Sequence, residues 1–226
     1  NRMMVSFLPM MILLFIFIGC IYIAIDITAG EKERRTLQTL FTTPATTREI
    51  VAGKFLAVAL VGIVSASMNI LSLIVASQIQ AYLLGEADVG MTLSLAPAAW
   101  GWMLLLVLLT TLFIGALALA VVLLANSYKE AQSYVSPLMM VVLIPSMMAA
   151  MPGVELTMQT ALIPVFNVAL AIVSIMKGTL DTGMLTIVAA ASLVYGVLAL
   201  YLASLTFGNE NVITGEKINW KALFKS

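Results

Sequence analysis

The side chains best able to recognise another molecule by charge crowd into one stretch, residues 26–54. It holds Asp26, Glu31, Lys32, Glu33, Arg34, Arg35, Arg48, Glu49 and Lys54. Carboxylates and guanidiniums at this density make charge-assisted hydrogen bonds, and arginine suits bidentate pairing with carboxylates. Covalent chemistry lacks its parts. The chain has no histidine, which removes Ser-His catalysis, histidine-held zinc and imidazole acid–base work. Its one cysteine, Cys20, sits in an apolar run, so there is no disulfide framework. Gly53-Lys54 invites comparison with a phosphate-binding loop, but the pattern G-x-x-x-x-G-K-S/T fails, with Arg48 and Phe55 at its ends. Neither a catalytic residue nor a metal site is expected on this chain.

The elements that must carry those charges follow from composition. Of 226 residues, 62% are hydrophobic and 10% charged, with a mean hydropathy of +1.09. A water-facing surface uses roughly 25% charged residues, so the solvent of this chain is lipid. Stretches of about 20 apolar residues can cross a bilayer, and they fall at 5–25, 54–84, 100–125, 135–151 and 183–207. The first is too long for a cleaved signal peptide and runs straight into the charged stretch. Lys and Arg collect at 26–54, at Lys129 and at Lys217, Lys221 and Lys225, whereas 85–99 and 152–159 have none. That alternation places 26–53, 126–134 and the tail 208–226 in the cytosol. Trp100 and Trp102 then mark the outer interface, and Tyr128 and Tyr134 the inner one. Parity makes the short apolar segment 160–176 start and finish outside, as a re-entrant or interfacial helix. The expected fold is therefore an all-α polytopic integral membrane helical bundle, with five transmembrane helices plus one short re-entrant or interfacial helix.

Within the charged stretch, Gly30 is expected to break the first span. Residues 31–41 then read as a short helix, with Glu31 and Arg35 at i, i+4. Leu37, Leu40 and Phe41 share its apolar face. Pro44 ends it, and Thr46-x-x-Glu49 is a capping box that opens the next helix. Two readings stand side by side: a solvated basic loop that only fixes topology, or a docking element for a cytosolic partner that pushes on both attached spans.

Neutral oxygens at membrane depth are the other candidates. Ser65, Asn69 and Ser72 recur at i, i+4, i+7; Thr110 and Thr111 lie mid-span; Asn167 follows Pro164. Such groups can coordinate a partly dehydrated sodium ion along a substrate path. They equally form interhelical hydrogen bonds, worth about 0.6 kcal/mol each. No span carries Asp or Glu in its middle, which counts against a proton-coupled carrier. Small residues align at Ser192, Gly196, Ala199 and Ala203, and at Thr111, Gly115 and Ala118, the pattern of close helix packing within one chain or between two. The 15 methionines read as gap-fillers rather than a copper relay. In the tail, the three lysines run beside Trp220, Leu223 and Phe224, as in an interfacial helix on anionic lipid.

The string from Thr28 to Ile50, TAGEKERRTLQTLFTTPATTREI, with Gly53-Lys54 after it, resembles the signature of ABC-2 type transporter permeases. Three later runs resemble the sodium-exporting, NatB-like branch. They are Met151-Pro-Gly-Val-Glu155-Leu156, Ile163-Pro-Val-Phe-Asn167-Val168 and Phe207-Gly-Asn-Glu210-Asn-Val212. The resemblance covers nearly the whole chain and implies one ABC-2 transmembrane domain over 1–226, with a cytosolic coupling segment at 29–50. It implies a partner, a cytosolic ATP-binding subunit that carries ATP and Mg, so that this chain binds no cofactor itself. A second permease copy or homologue would complete the transporter in a lipid bilayer, with no nucleic acid involved. Coupling to the ATPase would fall to Glu31, Glu33, Arg34, Arg35 and Arg48. The implied function is export of sodium or another cation across a prokaryotic cell membrane. Export of drugs, peptides or lipid-like molecules, or an ATP-independent carrier or channel, are the alternatives. The usual first span and large extracellular domain of the family are missing and the chain opens on Asn1, as expected for the C-terminal part of a longer permease.

Overall fold

Apolar runs become helices in lipid because only an internal hydrogen-bond ladder satisfies every backbone group of a single segment. The computed structural model describes residues 2–36, 44–84, 97–151, 153–179 and 181–207, all helical or irregular. Five long helices carry the apolar runs: α1 (Arg2–Ile25), α2 (Thr47–Leu84), α3 (Pro97–Val122), α4 (Tyr128–Ala149) and, last in the chain, α6 (Thr182–Phe207). Each is long and apolar enough to cross a membrane. The short α5 (Phe166–Met176) precedes α6. The expected face of Leu37, Leu40 and Phe41, the loop at 85–96 and the lysine stripe of the tail lie outside the described residues.

α1 and α3 form the centre. Ile12, Leu13, Ile16, Phe17, Ile21 and Ile25 of α1 are almost wholly enclosed. α1 packs on α2, α3, α4 and α5, while α3 packs most extensively on α6. The stripe expected on α6 faces inward: Ser192, Ala199 and Ala203 are buried, and Gly196 lies against the Phe113 backbone. Packing within the chain therefore uses this face. Glycines also set the crossing of α1, α2 and α3. A Cβ on Gly19 would stand 2.5 Å from Ser65 Oγ, and one on Gly62 would stand 2.5 Å from Cys20 Sγ and 2.6 Å from Thr111 Cγ2.

Contacts at the helix ends fix the order of crossings. The C-terminal ends of α1 and α3 meet the N-terminal ends of α2 and α4. Ala203, near the end of α6, packs there too, with Ile50, Val51, Leu119 and Leu123. This charged end therefore gathers the termini of all five long helices. α4 finishes and α6 starts at the opposite end, so α5 does not complete a crossing. At about 1.5 Å per residue its 11 residues span roughly 16 Å, half a hydrocarbon core of about 30 Å. α5 is buried along nearly its whole length, as a re-entrant element must be, whereas an interfacial helix would keep one face wet. Val165, at its N-cap, takes φ +69°, a costly turn for a β-branched residue.

One expectation fails. Gly30 does not break the first span: it stays right-handed helical at φ −62°, ψ −42°. The helix widens into a π turn over Asp26–Gly30 and continues as an α turn over Glu31–Glu33. Thr28, Ala29 and Gly30 are buried, so packing outweighs the cost of helical glycine, about 1 kcal/mol. The break comes at Arg35, whose φ of +60° turns the chain away. In its described part the helix expected over 31–41 is thus split: Glu31–Glu33 is the last turn of the first span, Arg34 and Arg35 form the turn, and Thr36 is helical again.

Candidate functional site

The π turn and the turn after it present Glu31, Lys32 and Glu33 in succession, and each grips a different helix. Glu31 Oε2 accepts from Lys54 Nζ of α2 at 2.5 Å. The same ammonium also donates to Ile27 O inside the π turn. In the same turn the Glu31 N–H turns back to Thr28 O. Lys54 is 7% exposed and Glu31 33%, so the pair works in low dielectric.

Lys32 points the other way. Its ammonium donates to Leu123 O at 2.6 Å and Ala125 O at 3.0 Å. These carbonyls lie one and three residues past the last residue of α3, at the end where the helix dipole favours a cation. Glu33 Oε2 accepts from the Tyr128 N–H at 2.7 Å, an anion at the N-terminus of α4, where the dipole favours it. α4 has its own cap as well. Ser127 Oγ accepts from Glu130 N at 3.2 Å, and Glu130 Oε2 accepts from Asn126 N at 2.8 Å. The capping box expected for α2 is present: Thr46 N donates to Glu49 Oε2 at 2.7 Å and Glu49 N to Thr46 Oγ1 at 3.4 Å.

Arg34 and Arg35 remain outward. Arg34 Nη2 stands 3.7 Å from Asp26 Oδ1, with both side chains largely in solvent, and such pairs hold little. Arg35 is exposed at the left-handed corner. Arg48 sits in the first turn of α2. The residues picked from the sequence as one charge cluster therefore separate by position. Glu31 and Glu33 are engaged within the chain, and Arg34 and Arg35 are free to meet a partner. Lys32 and Lys54, which are not among the coupling residues expected from the sequence, prove to be the clasps. A signal was present for Lys54, since a lysine two turns inside an apolar helix must find a carbonyl or carboxylate.

The polar residues at membrane depth do not gather into one chamber. Thr110 and Thr111 are buried and donate to Leu106 O and Val107 O, each at 2.7 Å. Asn167 spends both ends of its amide on local backbone: Nδ2 donates to Ala161 O at 3.2 Å, and Oδ1 accepts from Val168 N at 2.8 Å. Ser65 lies at the α1–α2 crossing, and Ser72 is exposed. The Asn69 Oδ1 atom is enclosed without a hydrogen-bond partner among the described residues. A cleft of about 250 Å³ between α2 and α3 is lined mainly by apolar groups, with Ser67 and Thr111 among them.

A family model described as ABC-2 family transporter protein matches residues 2–205. The chain belongs to the ABC-2 transporter family. It is similar to the ABC transporter permease protein NatB of Bacillus subtilis (strain 168). The two are 34% identical over 137 residues, which cover 59% of this chain and 34% of that protein. The match thus spans about a third of the relative's length. No solved structure matches. At the charged end of this domain, Glu31, Lys32 and Glu33 tie the end of the first span to α2, to the turn after α3, and to α4.

Proposed function

We propose that this chain forms the transmembrane path of an ATP-driven exporter of sodium or another cation. ATP and Mg are held by a separate cytosolic subunit that docks under residues 29–50. The observation that carries this reading is the pair of solvent-facing arginines, Arg34 and Arg35, directly after three residues tied to α2, α3 and α4. Arginines there form charge-assisted pairs with carboxylates of the ATPase, and Glu31 and Glu33 pass the displacement inward. Arg48, in the first turn of α2, is a further coupling candidate. A second permease copy or homologue closes the path, and the charged end faces the cytosol of a prokaryotic cell. Sodium is favoured by the resemblance of 151–156, 163–168 and 207–212 to the sodium-exporting branch. Of the candidate oxygens on Ser65, Asn69, Ser72, Thr110, Thr111 and Asn167, Asn69 Oδ1 is the one enclosed with no hydrogen-bond partner among the described residues, and it suits a partly dehydrated cation; Asn167 is spent on local backbone. The apolar lining of the α2–α3 cleft favours the second reading, export of a drug-, peptide- or lipid-like molecule.

The test is radiolabelled sodium uptake into inside-out vesicles that carry the full-length permease and its ATPase. Uptake that requires hydrolysable nucleotide supports the proposal. Nucleotide-dependent uptake of lipophilic dyes without sodium would support the second reading instead. Sodium flux indifferent to nucleotide would overturn ATP-driven export.

A further inference from the structure

A push from a partner docked at Arg34 and Arg35 has to reach α3 and α4, which are distant in sequence. Glu31-Lys32-Glu33 shows a route. Three successive side chains diverge from one helical turn to α2, α3 and α4, and Lys32 is the one cation of the triplet. Its ammonium bridges Leu123 O and Ala125 O, 91 and 93 residues away along the chain. Directly after those carbonyls, Asn126 and Ser127 lead into α4, whose first N–H is held by Glu33. The α3–α4 turn is therefore gripped on both sides, by a cation at the end of one helix and an anion at the start of the next. Each charge matches the helix dipole it meets.

We infer that Lys32 is a positioning residue for transport: it joins the docking segment to the α3–α4 turn, so that α1, α3 and α4 shift as one body. The inference deepens the proposed function and rests on it for its transport readout, but the tie itself is open to a separate test. A lysine suits the role because three N–H donors on one small head can serve two carbonyls at once. Arginine keeps the charge and several donors. Glutamine keeps a donor and loses the charge.

Two measurements on the full-length permease decide the matter. Backbone hydrogen exchange over residues 123–131 reads the tie directly. Lys32→Gln should speed exchange there by about three- to tenfold, as expected for losing a cation at a helix C-terminus, while Lys32→Arg stays near wild type. Exchange unchanged in Lys32→Gln overturns the tie, whatever drives transport. The second measurement is transport per ATP hydrolysed in vesicles with the ATPase. Because Lys32 lies within 29–50, ATPase recovery and hydrolysis are measured for Lys32→Gln alongside transport, and the readout is substrate moved per ATP hydrolysed. Lys32→Gln should move less substrate per ATP, by on the order of fivefold or more, the low end of ordinary coupling between sites, with Lys32→Arg restoring it. Wild-type stoichiometry in Lys32→Gln overturns the positioning role, as does a stoichiometry that falls equally in Lys32→Arg. Wild-type flux that ignores nucleotide would instead strike the proposed function and leave the exchange result to judge the tie.

Discussion

Replacing Glu31 by alanine is expected to be the most damaging single change at the clasped end. It leaves the Lys54 ammonium, 7% exposed, with Ile27 O as its remaining partner among the described residues. Removing one member of a buried ion pair costs about 3–5 kcal/mol. Glu31 is 33% exposed, so water reaches the vacated position, and a loss of about 2–3 kcal/mol follows. Lys54→Met is milder, about 1 kcal/mol, because it removes the buried charge, fills the space and leaves a carboxylate that can turn to water. Glu31→Ala with Lys54→Met should then be more stable than Glu31→Ala alone, since no unpaired buried cation remains. Cys20, the one thiol of this chain and fully buried, supplies the assay. Pulse labelling with a maleimide along a temperature ramp in detergent, read on the Cys20 peptide by mass spectrometry, reports the fraction opened. The midpoint should fall by roughly 5–10 °C in Glu31→Ala, by less in Lys54→Met, and part-way back in the double variant. A double variant less stable than Glu31→Ala would refute the argument, as would Glu31→Ala opening at the wild-type temperature.

Two further outcomes follow from packing. Gly62→Ala forces a methyl to within 2.5 Å of Cys20 Sγ and 2.6 Å of Thr111 Cγ2, and should cost about 1–3 kcal/mol in the same labelling assay. Gly101→Ala, where a Cβ meets nothing within 4 Å, should be neutral or gain up to about 1 kcal/mol; equal losses at both glycines would contradict the packing account. Asn167→Ala breaks two buried hydrogen bonds and should lower stability by about 1–3 kcal/mol without altering which cation is carried. A changed cation preference at unchanged stability would put Asn167 in the substrate path.

What the sequence revealed and what it hid divide along physical lines. Hydropathy located all five long helices, because bilayer thickness imposes a length that composition must meet. The box of Thr46 and Glu49 was legible since its partners are three residues apart. Parity of the basic loops left 160–176 short of a crossing, and the buried α5 agrees. The helical course through Gly30 was not legible, because local propensity argues for a break and burial of Thr28, Ala29 and Gly30 decides otherwise. Nor were the clasps. Glu31 and Arg35 look like an i, i+4 pair, yet the bond runs from Glu31 to Lys54, and Lys32 meets carbonyls near residue 125. Partners set by how helices pack leave no local pattern to read.

The measurement that tests the central claim most directly is a detergent pull-down of the full-length permease from its native membrane, beside an Arg34→Glu/Arg35→Glu version. Both arginines are exposed, so charge reversal should leave the bundle folded. Wild type should bring down a protein with ATPase activity, and the reversed form should retain little of it, because like charges now face the partner's carboxylates. Equal ATPase recovery from both folded forms would contradict docking at this corner. The absence of an ATPase from both would contradict the ATP-driven account.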